Sequence, residues 1–180
     1  MSISQCIAQL AVVVGAAQLH DYCDIDRDAG GQVRSAYKYF ALSCALRTDN
    51  NSHKLAHFAS DLRGDGPVST AWELWLSVLQ KDEEHANALA QRLFRMQNAD
   101  GTWHALNVDT NLDAFVFDEL CTLHALGNAA IETGRLDWKE RVRKGCLYHL
   151  ENTQPDNTTN QPWALAAFAM HEDTLSLIHI

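Results

Sequence analysis

One run of the sequence mixes acid, aromatic, thiol and imidazole side chains at helical spacing. Asp113, Phe117, Cys121 and His124 fall at i, i+4, i+8 and i+11, one face of a predicted helix over 111–127. Carboxylate and imidazole are the usual acid–base groups of enzymes, so Asp113 and His124 are the candidate catalytic residues. They stand about three turns apart, roughly 16 Å along the axis, too far to bond each other. Each would need a group from another helix; otherwise Asp113 is a helix cap and His124 a core histidine. Leu112, Val116, Leu123 and Leu126 form a second stripe, so the helix is expected to be buried on two faces.

Other groupings could also carry chemistry. Asp24, Asp26 and Asp28 alternate in the turn Asp21–Gly31, in the string running to Gly30, and such carboxylates can converge on a hard cation, with Asp21 a fourth oxygen donor. The glycine stands one place late for an EF-hand, and the twelfth position is Ser35 and not an acid, so a solvated acidic turn is the plain alternative. His53 and His57 share a helix face but lack the intervening Glu of a zinc protease motif, which makes a surface pair the simpler reading. Trp72 and Trp75, with Leu76 and Leu79, form an apolar face. Tyr37, Trp72, Phe117 and Trp163, together with Cys121, would line a cavity if the second helix of each successive pair faced inward. Aromatic walls suit sugar stacking and carbocation stabilisation alike, so they would fit a small-molecule ligand of either class.

The elements that would position these residues are helices. Apolar residues recur at helical spacing through nearly all of the 180 residues, and no segment alternates as a strand would. The pattern predicts eight helices, over 3–20, 33–47, 52–62, 69–80, 82–97, 111–127, 136–151 and 162–173. Thr70 and Glu73 have capping-box spacing, as do Thr110 and Asp113. Asp82, Glu83 and Glu84 place negative charge in a first turn, and Pro162 suits a first helical position.

Composition narrows the function classes. Hydrophobic residues make up 47 % and charged residues 21 %, which is globular and not disordered. Fourteen basic residues against 23 acidic ones leave a net charge of −9. That balance argues against nucleic acid as a partner. No apolar run reaches the length of a membrane span. Five dispersed cysteines, with no C-x-x-C pair, read as buried reduced thiols and predict a cytoplasmic setting.

The predicted helices pair into hairpins with a weak internal repeat. Leu93-x-x-x-Gln97 is followed by Asp100, Gly101 and Trp103; Leu150-x-x-x-Gln154 is followed by Asp156 and a displaced Trp163. The string Gln97-Asn98-Ala99-Asp100-Gly101-Thr102-Trp103 resembles the Gln-Trp repeat of the terpene and squalene cyclases and the protein prenyltransferase β-subunits. The first copy keeps the L-x3-Q-x3-G-x-W end and lacks the leading basic-Gly pair. The second keeps the front half, Lys144-Gly145-Cys146-Leu147-Tyr148, and has lost the Gly-x-Trp end. The resemblance covers mainly 89–170.

The resemblance implies an all-α fold of stacked antiparallel hairpins forming an incomplete α/α toroid. It implies that Gln97, Asp100, Gly101 and Trp103 are structural, tying a loop to a neighbouring helix end. Chemistry does not follow from it. The D-x-D-D and D-D-x-x-D strings of terpene cyclases are absent, and Asp21-Tyr22-Cys23, spaced like a prenyltransferase zinc pair, falls outside the matching region. No cofactor is indicated. Three functions stay open: a central-cavity enzyme of prenyltransferase or terpene-cyclase type, a carbohydrate-active toroid such as a glycoside hydrolase or lyase, and a non-catalytic binding scaffold. Whether the chain is an enzyme is therefore undecided.

Leu175-Ser176-Leu177-Ile178-His179-Ile180 reads as an in-frame translation of a sequencing-library adapter. On that expectation, 1–174 is a single helical-repeat domain of about four hairpins, cut from a longer chain. An open ring would then expose apolar helix faces and favour self-association through its edge.

Overall fold

The computed structural model describes residues 64–106, 112–153 and 167–168, leaving aside the side chains of Asp113 and Ala114. All of these belong to the compact unit Leu62–Ile180. Four helices organise it: α1 (Pro67–Leu79), α2 (Glu83–Met96), α3 (Leu112–Thr133) and α4 (Leu136–Asn152). The described residues are all-α, with no strand among them. None of their helices is long and apolar enough to cross a membrane.

The helix ends follow local chemistry. α1 begins at Pro67, behind Gly66, because proline gives up no useful N–H in a first turn. That start overturns the expected Thr70–Glu73 capping box. Thr70 lies one turn inside, its Oγ1 donating to Gly66 O at 2.9 Å, and Glu73 instead meets His85 Nε2 at 3.2 Å. Asp82 caps α2 by accepting from His85 N at 3.1 Å, with Glu83 and Glu84 in the first turn and Arg95 in the last, as the helix dipole favours. α3 runs through Gly127 and ends six residues later than the pattern predicts. Gly127 is only a mid-helix glycine; the residue that adopts the left-handed conformation that closes a helix is Gly134, at φ +67°. Lys81 does the same after α1, at φ +62°, without a glycine's freedom.

Burial divides the helices into two kinds. α2 hides one stripe, Ala86, Leu89, Ala90 and Leu93, and α4 hides Trp138, Val142, Gly145, Cys146 and His149. Each is amphipathic, with one face against the protein. α1 buries Thr70, Ala71, Trp72, Leu74, Trp75, Leu76 and Ser77, nearly its whole circumference over two turns. α3 is buried without a break from residue 119 to 130. α1 packs against both α2 and α3, and α3 against α4. Two hairpins, α1 with α2 and α3 with α4, thus stand side by side, joined through their more deeply buried helices. The expected pairing of 82–97 with 111–127 is corrected, because α2 packs on α1 and not chiefly on α3.

Two seams hold the hairpins together. Between α1 and α3, the rings of Trp72 and Trp75 lie 5.7 and 5.8 Å from that of His124. Between α2 and α4, Phe94 meets Trp138 edge-on at 6.3 Å, and the Arg141 guanidinium covers Phe94 at 5.2 Å. At the far end of this second seam, Arg135 Nη1 donates to Asn87 Oδ1 at 2.8 Å and stacks on Trp138 at 4.9 Å. A groove of about 450 Å³ opens there, with Lys81, Glu83, Glu132 and Arg135 on its walls.

Candidate functional site

The loop after α2 is a clasp made from the most specific string of the sequence. Asn98 N donates to Thr102 O at 2.7 Å and Gly101 N to Asn98 O at 3.1 Å, which folds the loop into a tight turn. Asp100 Oδ1 accepts from Thr102 N at 3.0 Å and from Thr102 Oγ1 at 2.8 Å. Gln97 Nε2 donates twice, to Gly101 O at 2.9 Å within the loop and to Arg141 O of α4 at 3.0 Å. Trp103 is buried and returns its indole N–H to Leu93 O at 3.1 Å. The clasp therefore binds the end of one hairpin to the middle of the next.

The two imperfect copies of the repeat meet here. Gly101, at φ +104°, lies so near α4 that an added Cβ would stand 2.7 Å from Lys144 O. A Cβ on Gly145 would stand 2.8 Å from Leu123 Cδ2 and 3.1 Å from Trp103 Cζ3. The Gly-x-Trp end kept by the first copy thus rests on the Lys-Gly front kept by the second. Glycine is needed on both sides because two backbones approach closely.

Beneath the clasp lies a polar cluster that the sequence reading missed. Glu119 of α3 is completely buried. Its Oε1 accepts from Trp103 N at 2.8 Å, His104 N at 2.7 Å and His104 Nδ1 at 2.7 Å. Its Oε2 faces His149 Nε2 of α4 at 3.5 Å. Burial pushes the carboxyl up, but the side-chain bonds from His104 and His149 and the Trp103 amide outweigh it and hold Glu119 below its ordinary range. One signal could have revealed it. Glu119 interrupts the apolar stripe of Leu112, Val116, Leu123 and Leu126, where a charged residue needs a buried partner.

Chemically, an ionised carboxylate accepts and cannot donate. His104 therefore carries a hydrogen on Nδ1, and in the neutral ring the lone pair is then on Nε2. His149 correspondingly turns Nε2 to Glu119 and Nδ1 to Thr153 Oγ1, at 3.1 Å. Next along α3, burial raises Asp118, with His104 partly offsetting it. Two adjacent carboxyls on one helix are thus driven in opposite directions by their surroundings.

The predicted site residues distribute as follows. His124 is 8 % exposed and packs against both Trp72 and Trp75, with Asn128 Nδ2 3.3 Å from its Nε2. Trp72 and Cys121 are fully buried, and Phe117 is half-buried. Burial, then Asp118, pushes the Cys121 thiol well up. The structure thus brings Trp72 and His124 together, and Gln97, Asp100, Gly101 and Trp103 together elsewhere. The Asp113 side chain, Tyr37, Trp163, Asp24, Asp26 and Asp28 lie outside the described residues, as do Thr110 and Pro162. Among the described residues, no three His, Cys, Asp or Glu side chains are grouped to hold a metal ion. Compared with known proteins, the chain matches no family model, no curated protein and no solved structure.

Proposed function

We propose that this chain is part of an α/α toroid built like those of the terpene and squalene cyclases and prenyltransferase β-subunits, with its ligand site on the side of α1 and α3. One observation carries the reading. The half-motifs that survive in the two repeat copies, Gly101-x-Trp103 and Lys144-Gly145, are the ones in contact. A clasp that joins successive hairpins would keep those halves and let the others drift. The two kinds of helix add support, since a ring of hairpins needs a more enclosed layer beside an amphipathic outer one.

On this reading the Gln97–Trp103 loop is architecture, and ligand recognition belongs to the enclosed layer with His124. Trp72 and Trp75, packed on His124, make that layer a fluorescent reporter. The test is to titrate the full chain with farnesyl diphosphate and, separately, with maltohexaose, following tryptophan emission. Saturable quenching by the isoprenoid alone is the expected result. Saturation by the sugar alone would move the assignment to carbohydrate-active toroids. No response to either would leave the hairpins as a protein-binding scaffold.

A further inference from the structure

His104 combines features that the clasp does not require. Holding the loop takes only its backbone N–H and one ring nitrogen, both on Glu119 Oε1 at 2.7 Å. The other ring nitrogen diverges from the first by the geometry of imidazole, so Nε2 points away from the carboxylate. Unlike His149, whose second nitrogen meets Thr153, His104 leaves Nε2 without a partner among the described residues, and its side chain is 23 % exposed. Glu119 is held in turn by the Trp103 and His104 amides, so it cannot swing with the ring. A buried carboxylate that fixes the tautomer and orientation of an imidazole, with the second nitrogen free, is the arrangement that makes histidine a base or nucleophile.

We propose that His104, positioned by Glu119, is a nucleophilic site for activated acyl compounds, esters or thioesters with a good leaving group. Nε2 attacks the carbonyl carbon, a nitrogen–carbon bond forms, and the bond to the leaving group breaks with departure of its anion. The acylated ring is positive, and its Nδ1–H stays on the Glu119 carboxylate, which offsets that charge. Water then attacks the acyl carbon, releases the carboxylic acid, and returns the imidazole neutral with one proton to solvent. This inference is independent of the toroid proposal, because it rests on the loop and α3 alone.

The test uses the full chain and p-nitrophenyl acetate, with His104→Asn as the variant. Asparagine can present an N–H to Glu119 where Nδ1 stood, so the clasp is retained while Nε2 is lost. Circular dichroism checks that the variant is folded. The expected result is release of p-nitrophenolate at a rate that falls at least about fivefold in H104N and recovers with added imidazole beyond the rate imidazole gives without the protein. Diethyl pyrocarbonate labelling with peptide mapping should find His104 modified at Nε2, and ahead of His85, which is more exposed but pairs its own Nε2 with Glu73. A folded H104N that keeps the wild-type rate would overturn the proposal. So would labelling that reaches His85 first and spares His104.

Discussion

Replacing Glu119 tests the account of the clasp most directly. Glu119→Ala removes the acceptor that, among the described residues, serves two main-chain amides, Trp103 N and His104 N, and one ring N–H of His104. A buried donor left without an acceptor costs about 1–3 kcal/mol. Two such amides give about 2–6 kcal/mol, and the imidazoles can recover part of their loss by changing tautomer. The expected destabilisation is about 4 kcal/mol. Glu119→Gln keeps a carbonyl oxygen for the amides and loses only the charge, so about 2 kcal/mol is expected. With a urea m-value of about 2 kcal/mol/M, these become midpoint shifts of about 2 M and 1 M. The assay is urea unfolding followed by circular dichroism at neutral pH. The sign with pH is also fixed. A carboxyl held below its ordinary value of 4.5 adds stability that is complete above that value and lost as pH falls through the folded one. Wild type should therefore lose stability below about pH 4.5, and E119Q should show a shallower loss there. A midpoint shift under about 0.5 M for E119A, with m unchanged, would refute the reasoning.

Three further outcomes are expected. Gly101→Ala should destabilise by about 3 kcal/mol or more, since its φ of +104° disfavours a side chain and the new Cβ would meet the Lys144 carbonyl; thermal unfolding measures it. Cys121 and Cys146 should resist thiol reagents at pH 8 until the protein unfolds, because burial pushes Cys146 up to about 12 and Cys121 well up; reaction with a chromogenic disulfide in the presence and absence of urea checks this. Asp118→Asn should raise the urea midpoint at pH 7 and leave it unchanged near pH 3, because burial disfavours the ionised carboxylate in the folded state and that penalty vanishes once the group is protonated.

Much of the helical architecture was legible in the sequence, and particular residues explain why. The stripes Ala86–Leu89–Ala90–Leu93 and Trp138–Val142–Cys146 repeat at the helical period, so α2 and α4 could be read to within a residue at each end. The loop string Gln97–Trp103 stood out through its resemblance to the Gln-Trp repeat, which implied a structural role; the structure gives it a left-handed Gly101 and a buried Trp103. Periodicity fails where a helix is enclosed all round. α3 is buried all round from residue 119 to 130, so the two stripes read over 111–127 left no polar face with which to judge Gly127, and the helix ends six residues later than predicted.

What only the tertiary structure decided is which groups from distant positions share a site. Thr70 and Glu73 had the spacing of a cap, yet Pro67 starts the helix and Glu73 turns to His85. His124 and Trp72 are brought together by the packing of α1 on α3. Glu119 carried no expectation from the sequence, and its meaning required His104, Trp103 and His149 to arrive from a loop and another helix. A sequence encodes hydrogen-bond capacity and periodicity residue by residue. Whether a carboxylate is buried, ionised and shared depends on desolvation and on partners, both of which exist only after the chain has packed.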